Sequence, residues 1–349
     1  MKRKIAVLCP SEIAWRRFMP ALQAGGLFEF AGVGVALPSE WRLEGGTAPA
    51  QDEVAALAKR ERRKAEAFID KYGGQIYPSY QTVVEAADVD AVYIPLPPAL
   101  HAGWGKAALE NGKHAFIEKP MATTLADARE LVETARGRNL VLHENYMFLY
   151  HRQLREIEQF VASGGIGTCM LYRVTFGFPL RAGNDFRYNR ALGGGALLDC
   201  GGYTLCLARR LLGETARVVA ASNRMSDGDC VDMHGSGTLE NDKGVVAQVA
   251  FGMDNEYRCD LEAWGSLGSL KVRRILTAPP DFNPEMEITT GGKTVTSLLP
   301  ADDAFGNSLG HFLECMEDSA SREKRYEEVS QQAKILDDFQ RHAIGSAGT

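Results

Sequence analysis

The first 144 residues alternate short, apolar, β-rich runs with helical stretches, and that alternation restricts this part of the chain to a parallel sheet covered by helices. Lys4 to Leu8 is a strand candidate, Ile13 to Ala24 a helix with Ser11 placed to cap it, and Phe28 to Ala36 a second strand. A β-α-β unit of this spacing aims the N-terminus of its first helix at an anionic group. A charged, Ala-rich stretch from Arg42 to Lys71 follows, read as an insertion loop and a helix ending at Tyr72-Gly73-Gly74. Helices are then expected at Tyr80 to Ala87, Leu100 to Asn111 and Thr124 to Arg136, and strands at Ala91 to Pro95, His114 to Ile117 and Leu140 to Glu144. The first domain is thus expected over 1–144, as a doubly wound parallel sheet.

A chain of 349 residues exceeds the size at which one core usually stops growing, so a second domain is expected over 145–349. Cys169 to Phe178, Arg217 to Ser222, His234 to Glu240, Val245 to Phe251 and Arg258 to Ala263 alternate or are β-rich, which predicts an open, mainly antiparallel sheet with helices on one face. Leu154 to Ser163, Phe305 to Met316 and Glu327 to Ile344 are expected helices, the last two free to pack back on the first domain. The net charge of -6 excludes a nucleic-acid footprint and points to small-molecule partners. Seven cysteines without a CxxC pair or a His/Cys cluster read as reduced thiols with no metal site. No run is expected to span a membrane, which leaves a cytoplasmic protein.

The chemistry concentrates at strand ends. A phosphate turn after the first strand would place small residues at Cys9, Ser11 and Ala14, with Glu12 and Ile13 between them, but only Ala14 fits the glycine-rich pattern. After the second strand come Leu37-Pro38-Ser39-Glu40-Trp41-Arg42, with no carboxylate at the strand end itself. Ser39 and Arg42 either hold a 2′-phosphate, which tilts the choice slightly toward NADP over NAD, or are ordinary loop residues. Glu118-Lys119-Pro120 ends a buried strand with an acid, a base and a rigid turn, where a ligand crevice is expected; the bland alternative is a surface ion pair.

These residues carry a resemblance. Glu118-Lys119-Pro120, the upstream Pro95-Leu96-Pro97-Pro98-Ala99-Leu100-His101 and the later Gly193-Gly194-Gly195-Ala196-Leu197-Leu198-Asp199-Cys200-Gly201-Gly202-Tyr203 resemble the oxidoreductase family of glucose-fructose oxidoreductase, inositol dehydrogenase and MocA-type proteins. Glu144-Asn145-Tyr146-Met147-Phe148, Asp185-Phe186-Arg187-Tyr188 and Ala301-Asp302-Asp303-Ala304-Phe305 are similar to segments of its sugar-nucleotide C-3 ketoreductases, as is a tyrosine four residues after Asp199. The first phosphate turn departs from the family pattern.

The resemblance implies a Rossmann domain followed by an α+β domain, and hydride transfer between NAD(P) and a sugar, in particular a nucleotide-linked 3-keto-deoxysugar. It implies cofactor contacts at Leu96, Pro97, His101, Glu118, Lys119 and Asn145, although His101 more often caps or packs. Lys119 and Tyr203 are the candidate catalytic pair, because a developing alkoxide needs a positive charge and a proton donor. Asp199 either orients Tyr203, grips a sugar hydroxyl or caps a helix; Arg187 with Asp185 is either a substrate clamp or a structural ion pair. A homodimer or homotetramer is expected through the open sheet face. The competing readings are a dehydrogenase of a free sugar, polyol or glycoside, and a non-catalytic scaffold with a degenerate phosphate turn.

Overall fold

The fold is that of a computed structural model, which describes residues 2–41, 51–183, 185–225 and 231–345. The chain divides into two compact units, Met1–Asn145 with Ser308–Ser330, and Tyr146–Asn307 with Gln331–Thr349. Neither unit is contiguous in sequence, and Asn145 groups with the first.

The first unit is built on six parallel strands: β1 Arg3–Val7, β2 Phe28–Gly34, β3 Gln75–Tyr77, β4 Ala91–Ile94, β5 His114–Ile117 and β6 Leu142–Glu144. Their spatial order, β3-β2-β1-β4-β5-β6, is that of a dinucleotide-binding sheet, with the direction of winding reversing between β1 and β4. Ile5, Ala6 and Val7 are fully buried, as a central strand covered on both faces requires. Helices α1 Met19–Gly25, α2 Gln51–Tyr72, α3 Tyr80–Glu85, α4 Pro98–Glu110 and α5 Leu125–Arg138 connect the strands. Ahead of α1, Ala14–Phe18 is wound in π register, and the Met19 amide bonds to Ala14 O. Pro20 accounts for this: it lacks an N–H and its ring clashes with the carbonyl four residues back, so the ladder widens upstream.

The later segment Ser308–Ser330 completes this unit. Arg325 donates to Glu144 O and Tyr326 to Leu140 O, while Phe312 stands edge-on to Phe116 with ring centroids 5.2 Å apart.

The second unit carries eight strands in the order β14-β13-β12-β11-β7-β10-β9-β8. These are β7 Cys169–Gly177, β8 Arg217–Arg224, β9 His234–Glu240, β10 Val246–Gly252, β11 Arg258–Gly265, β12 Gly268–Arg273, β13 Glu285–Thr290 and β14 Lys293–Leu298. All neighbours run antiparallel except β7 and β10. Helix α6 Arg152–Ala162 precedes the sheet, and α7 Gly202–Leu212 packs on β7 and β10. Helices α8 Ala304–Glu317 and α9 Ser319–Gly345 end the chain.

The expectation that no run could span a membrane needs correction. Arg190–Leu212, 23 residues long with an 18-residue window of mean hydropathy 1.2, is long and apolar enough by length and composition to cross one, but 78% of that window is buried inside the protein. Its hydropathy is that of a core element carrying α7.

Candidate active site

The turn after β1 opens a helix end without the usual glycines. Ser11 Oγ accepts the Ala14 amide at 3.2 Å and Ser11 O the Trp15 amide at 3.1 Å. Glu12 and Ile13 supply first-turn amides that have no carbonyl four residues back, which is the donor set an oxyanion needs. The side chain of Cys9 turns into the fold, with Sγ 3.5 Å from Pro95 O. Burial pushes that thiol up to about 12, so it stays neutral. The residue in place of the first glycine is therefore packed against the β4 loop, and Ala14 is wholly buried as the pattern expects.

At the end of β2, Ser39 is exposed on a short turn over Pro38–Trp41; Arg42 lies outside the described residues. Glu40, the carboxylate that would reach a ribose hydroxyl if NADH were preferred, instead accepts the amides of Leu37 at 2.6 Å, Tyr80 at 3.1 Å and Gln81 at 3.0 Å. Glu40 thus caps α3 and ties the turn to it. Glu61, unforeseen in the sequence, accepts from Ala36 N at 3.1 Å and Tyr80 OH at 2.7 Å.

The ends of β4, β5 and β6 bring the other predicted residues together. His101 is wholly buried between the Leu96-Pro97 loop and the turn after Lys119, with its ring nitrogens 2.7 Å from Pro120 O and 2.7 Å from Leu96 O; the neutral ring carries one N–H and donates to one of the two carbonyls. Burial pushes its pKa down to about 4. Glu118 accepts at Oε1 from Tyr93 OH and from Asn145 Nδ2, each at 2.8 Å. Burial raises the Glu118 pKa, while the Asn145 and Tyr93 donors and the Lys119 ammonium act to lower it. Ile117 O accepts the Asn145 amide at 2.9 Å, which sets Asn145 beside the Glu118-Lys119 step.

In the second unit the glycine run serves close approach. Gly195 has φ +121°, and a Cβ there would collide with the Asp232 carboxylate; a Cβ on Gly194 would strike the Arg187 carbonyl. The Gly195 amide donates to Arg187 O at 2.9 Å, and Asp232 Oδ2 accepts the Leu197 amide at 2.7 Å. Drawn in this way, Arg187 Nε meets Asp199 Oδ2 at 2.6 Å and Nη1 meets Asp185 Oδ1 at 3.1 Å. Tyr203 opens α7 among the rings of Tyr146 and Phe176, each at 5.3 Å, and Phe148 at 5.9 Å. Its hydroxyl lies 3.9 Å from Met147 Sδ.

A parallel 3-2-1-4-5-6 sheet with a helix opening after its first strand and Glu118-Lys119 at the end of β5 is the framework of a dinucleotide-dependent oxidoreductase. Residues 28–146 match the model of an oxidoreductase family with an NAD-binding Rossmann fold, and residues 154–271 match the GFO/IDH/MocA C-terminal domain. The chain belongs to this family. Among curated proteins it is 36% identical to the dTDP-3,4-didehydro-2,6-dideoxy-alpha-D-glucose 3-reductase of Saccharopolyspora spinosa, over 88% of this chain and 86% of the relative. It is 34% identical to the enzyme of that name from Actinomadura kijaniata, over 96% and 93%. A crystal structure of KijD10, a 3-ketoreductase from Actinomadura kijaniata in complex with NADP and TDP-benzene, superposes with a TM-score of 0.86 at 33% identity, covering 98% of each chain.

Proposed function

We propose that this protein reduces the C-3 keto group of a nucleotide-linked deoxysugar with NADPH. One observation carries the reading. KijD10 has been crystallised with a lysine replaced by alanine and with a tyrosine replaced by phenylalanine, each with TDP-benzene and NADP. The two positions are separated in sequence as Lys119 and Tyr203 are here.

The bound nicotinamide supplies the hydride. The helix end at Ser11 to Ala14 holds the pyrophosphate, and the Leu96-Pro97 loop, Glu118 and Asn145 flank the reacting half of the cofactor. Lys119 polarises the ketone oxygen, and Tyr203 gives up its phenolic proton as the alkoxide forms. Asp185, Arg187 and Asp199 hold the sugar nucleotide; the two aspartates engage Nε and Nη1 of Arg187 and leave Nη2 to donate. Glu40, held by three backbone amides, is not free to reach a ribose hydroxyl, which favours NADPH. The six described cysteines are free thiols, in keeping with a reducing cytoplasm. The exposed side chains of Trp264 and Leu298, which the strand register places on one face of the second sheet, suit that face to pairing with another copy of the chain.

A second reading, a free-sugar dehydrogenase, draws on 30% identity to D-xylose 1-dehydrogenase (NADP(+)) 2 of Haloferax volcanii over 87% of this chain. NADPH consumption with dTDP-3,4-didehydro-2,6-dideoxy-glucose separates the two. Turnover is expected; none with that substrate, together with NADP-dependent oxidation of xylose, would replace the first reading by the second.

A further inference from the structure

Behind the Glu118-Lys119 step lies a buried chain of hydrogen bonds that reaches into α8. Asn145 Nδ2 donates to Glu118 Oε1 at 2.8 Å, Ser308 Oγ lies 2.9 Å from Asn145 Oδ1, and His143 Nε2 lies 2.9 Å from Ser308 Oγ. His143, Asn145 and Ser308 are all at 0% exposure, so water does not substitute for any member.

With Glu118 ionised, as its two donors and the Lys119 ammonium favour, the chain runs in one direction. A Glu118 carboxylate only accepts, so Asn145 must face it with its NH2 and turn its carbonyl oxygen to Ser308. Ser308 then donates to that oxygen, and the His143 ring donates to Ser308 through an Nε2–H. Burial holds the His143 pKa well below its usual value. The neutral ring stacks on Phe116 with centroids 4.6 Å apart. Were Asn145 to flip, its carbonyl would confront the carboxylate at hydrogen-bond distance, two acceptors face to face. Ser308 prevents this, since its hydroxyl proton is matched only by the carbonyl end of the amide.

We propose that Ser308, backed by His143, is a positioning residue for the oxidoreductase reaction: it locks the Asn145 amide, and the locked amide holds Glu118 and the adjoining Lys119 in their working arrangement at the ends of β5 and β6. Ser308 touches neither reactant and acts through Asn145. The inference rests on the proposed function, because it assigns Asn145 and Glu118 to the cofactor side of that reaction.

The test is a double-mutant cycle read by NADPH binding, followed by fluorescence, and by steady-state turnover, with circular dichroism to confirm folding. Ser308→Ala should weaken NADPH binding or kcat/KM by roughly tenfold, the equivalent of one hydrogen bond. Ser308→Thr, which keeps the hydroxyl, should restore most of the loss. In an Asn145→Ala background Ser308→Ala should change the same quantities by less than about twofold, since the group through which it acts is gone. A purely structural serine would give equal losses in both backgrounds, and that result overturns the proposal, as does a folded Ser308→Ala protein with wild-type binding and turnover. If Ser308→Ala does not fold, Ser308→Cys, of similar shape but a weaker donor, takes its place in the cycle: a loss confined to the Asn145 background supports the proposal, and equal losses overturn it. A wild-type protein that binds neither NADPH nor NADH removes the proposed function and this inference with it; wild-type binding with an insensitive Ser308 removes this inference alone.

Discussion

Arg187 donates through Nε to Asp199 Oδ2 at 2.6 Å, across a turn where Gly194 and Gly195 allow the backbone to pack closely. Burial works against the guanidinium charge, but Asp199 and Asp185 outweigh it and raise the Arg187 pKa further. The arginine is therefore a fixed cation with a fixed orientation. Lysine at this place keeps the charge and loses the fork. Arg187→Lys should raise KM for the sugar nucleotide by about tenfold with a smaller change in kcat, and should lower stability by about 1–3 kcal/mol as the paired aspartates lose partners. Steady-state kinetics and urea unfolding read the two effects, and an unchanged KM would make the pair purely structural.

The first phosphate turn invites a direct repair. Cys9→Gly restores a glycine where the family pattern has one, but the structure shows the Cys9 side chain packed toward Pro95. The substitution should leave the NADPH dissociation constant within about threefold, because the side chain is not in the way, and should cost about 1–2 kcal/mol of stability through lost packing and added backbone freedom. Parallel titrations with NADPH and NADH should show NADPH bound at least as well. A large gain in affinity for Cys9→Gly would mean that Cys9 obstructs the pyrophosphate after all.

His114 makes folding sensitive to mild acid. Its Nδ1 accepts the Val141 amide at 2.9 Å, a bond that only the neutral ring can make, and burial pushes the pKa down to about 4. Since the unfolded chain takes up the proton near pH 6.5, stability from this group is complete above that pH and is lost as pH falls from about 6.5 toward 4. The loss attributable to His114 between pH 7 and pH 5 is up to about 2 kcal/mol. Denaturant unfolding at the two pH values should show a smaller difference for His114→Gln than for the wild type; an equal difference assigns the acid sensitivity elsewhere.

Much of the first unit is legible in the sequence, because strands such as β4 and β5 are buried and read as short apolar runs between turn residues; the edge strand β3, with Gln75 exposed and Ile76 half-buried, gives no such run and is not among the expected strands. The expected strand at His114 to Ile117 coincides with β5, and the expected cap Ser11 does accept an amide. The edge of the second sheet is not legible. Nearly every side chain of β14 is exposed, so no buried face imprints a period of two, and the strand is held by pairing with β13. The contact of Arg187 with Asp199 is equally hidden, since it depends on how tightly the glycine run folds between them. Ser308 left one trace: Phe305, Ser308, Leu309 and Phe312 fall on one stripe of α8, and a hydroxyl in an otherwise apolar stripe asks for a buried partner.

The second unit's sheet should bring copies of the chain together. Trp264 and Leu298, 59% and 68% exposed, stand on the same face of that sheet. Sedimentation at micromolar concentration should show a dimer or tetramer, and Trp264→Glu should shift the protein toward monomer without unfolding it. A wild-type monomer under those conditions would contradict the association.

In the proposed reaction hydride passes from NADPH to the sugar's C-3 while Tyr203, assisted by Lys119, supplies the proton. The most direct measurement uses NADPH deuterated at the transferable C-4 position, dTDP-3,4-didehydro-2,6-dideoxy-glucose, and the wild-type, Tyr203→Phe, Lys119→Met and doubly substituted proteins. The product should carry one deuterium at C-3, and each single substitution should lower kcat by roughly 10²-fold or more. The double substitution should lose far less than the product of the two, because both groups serve one proton transfer. Deuterium at another carbon, or near-normal turnover by Tyr203→Phe, would contradict this mechanism.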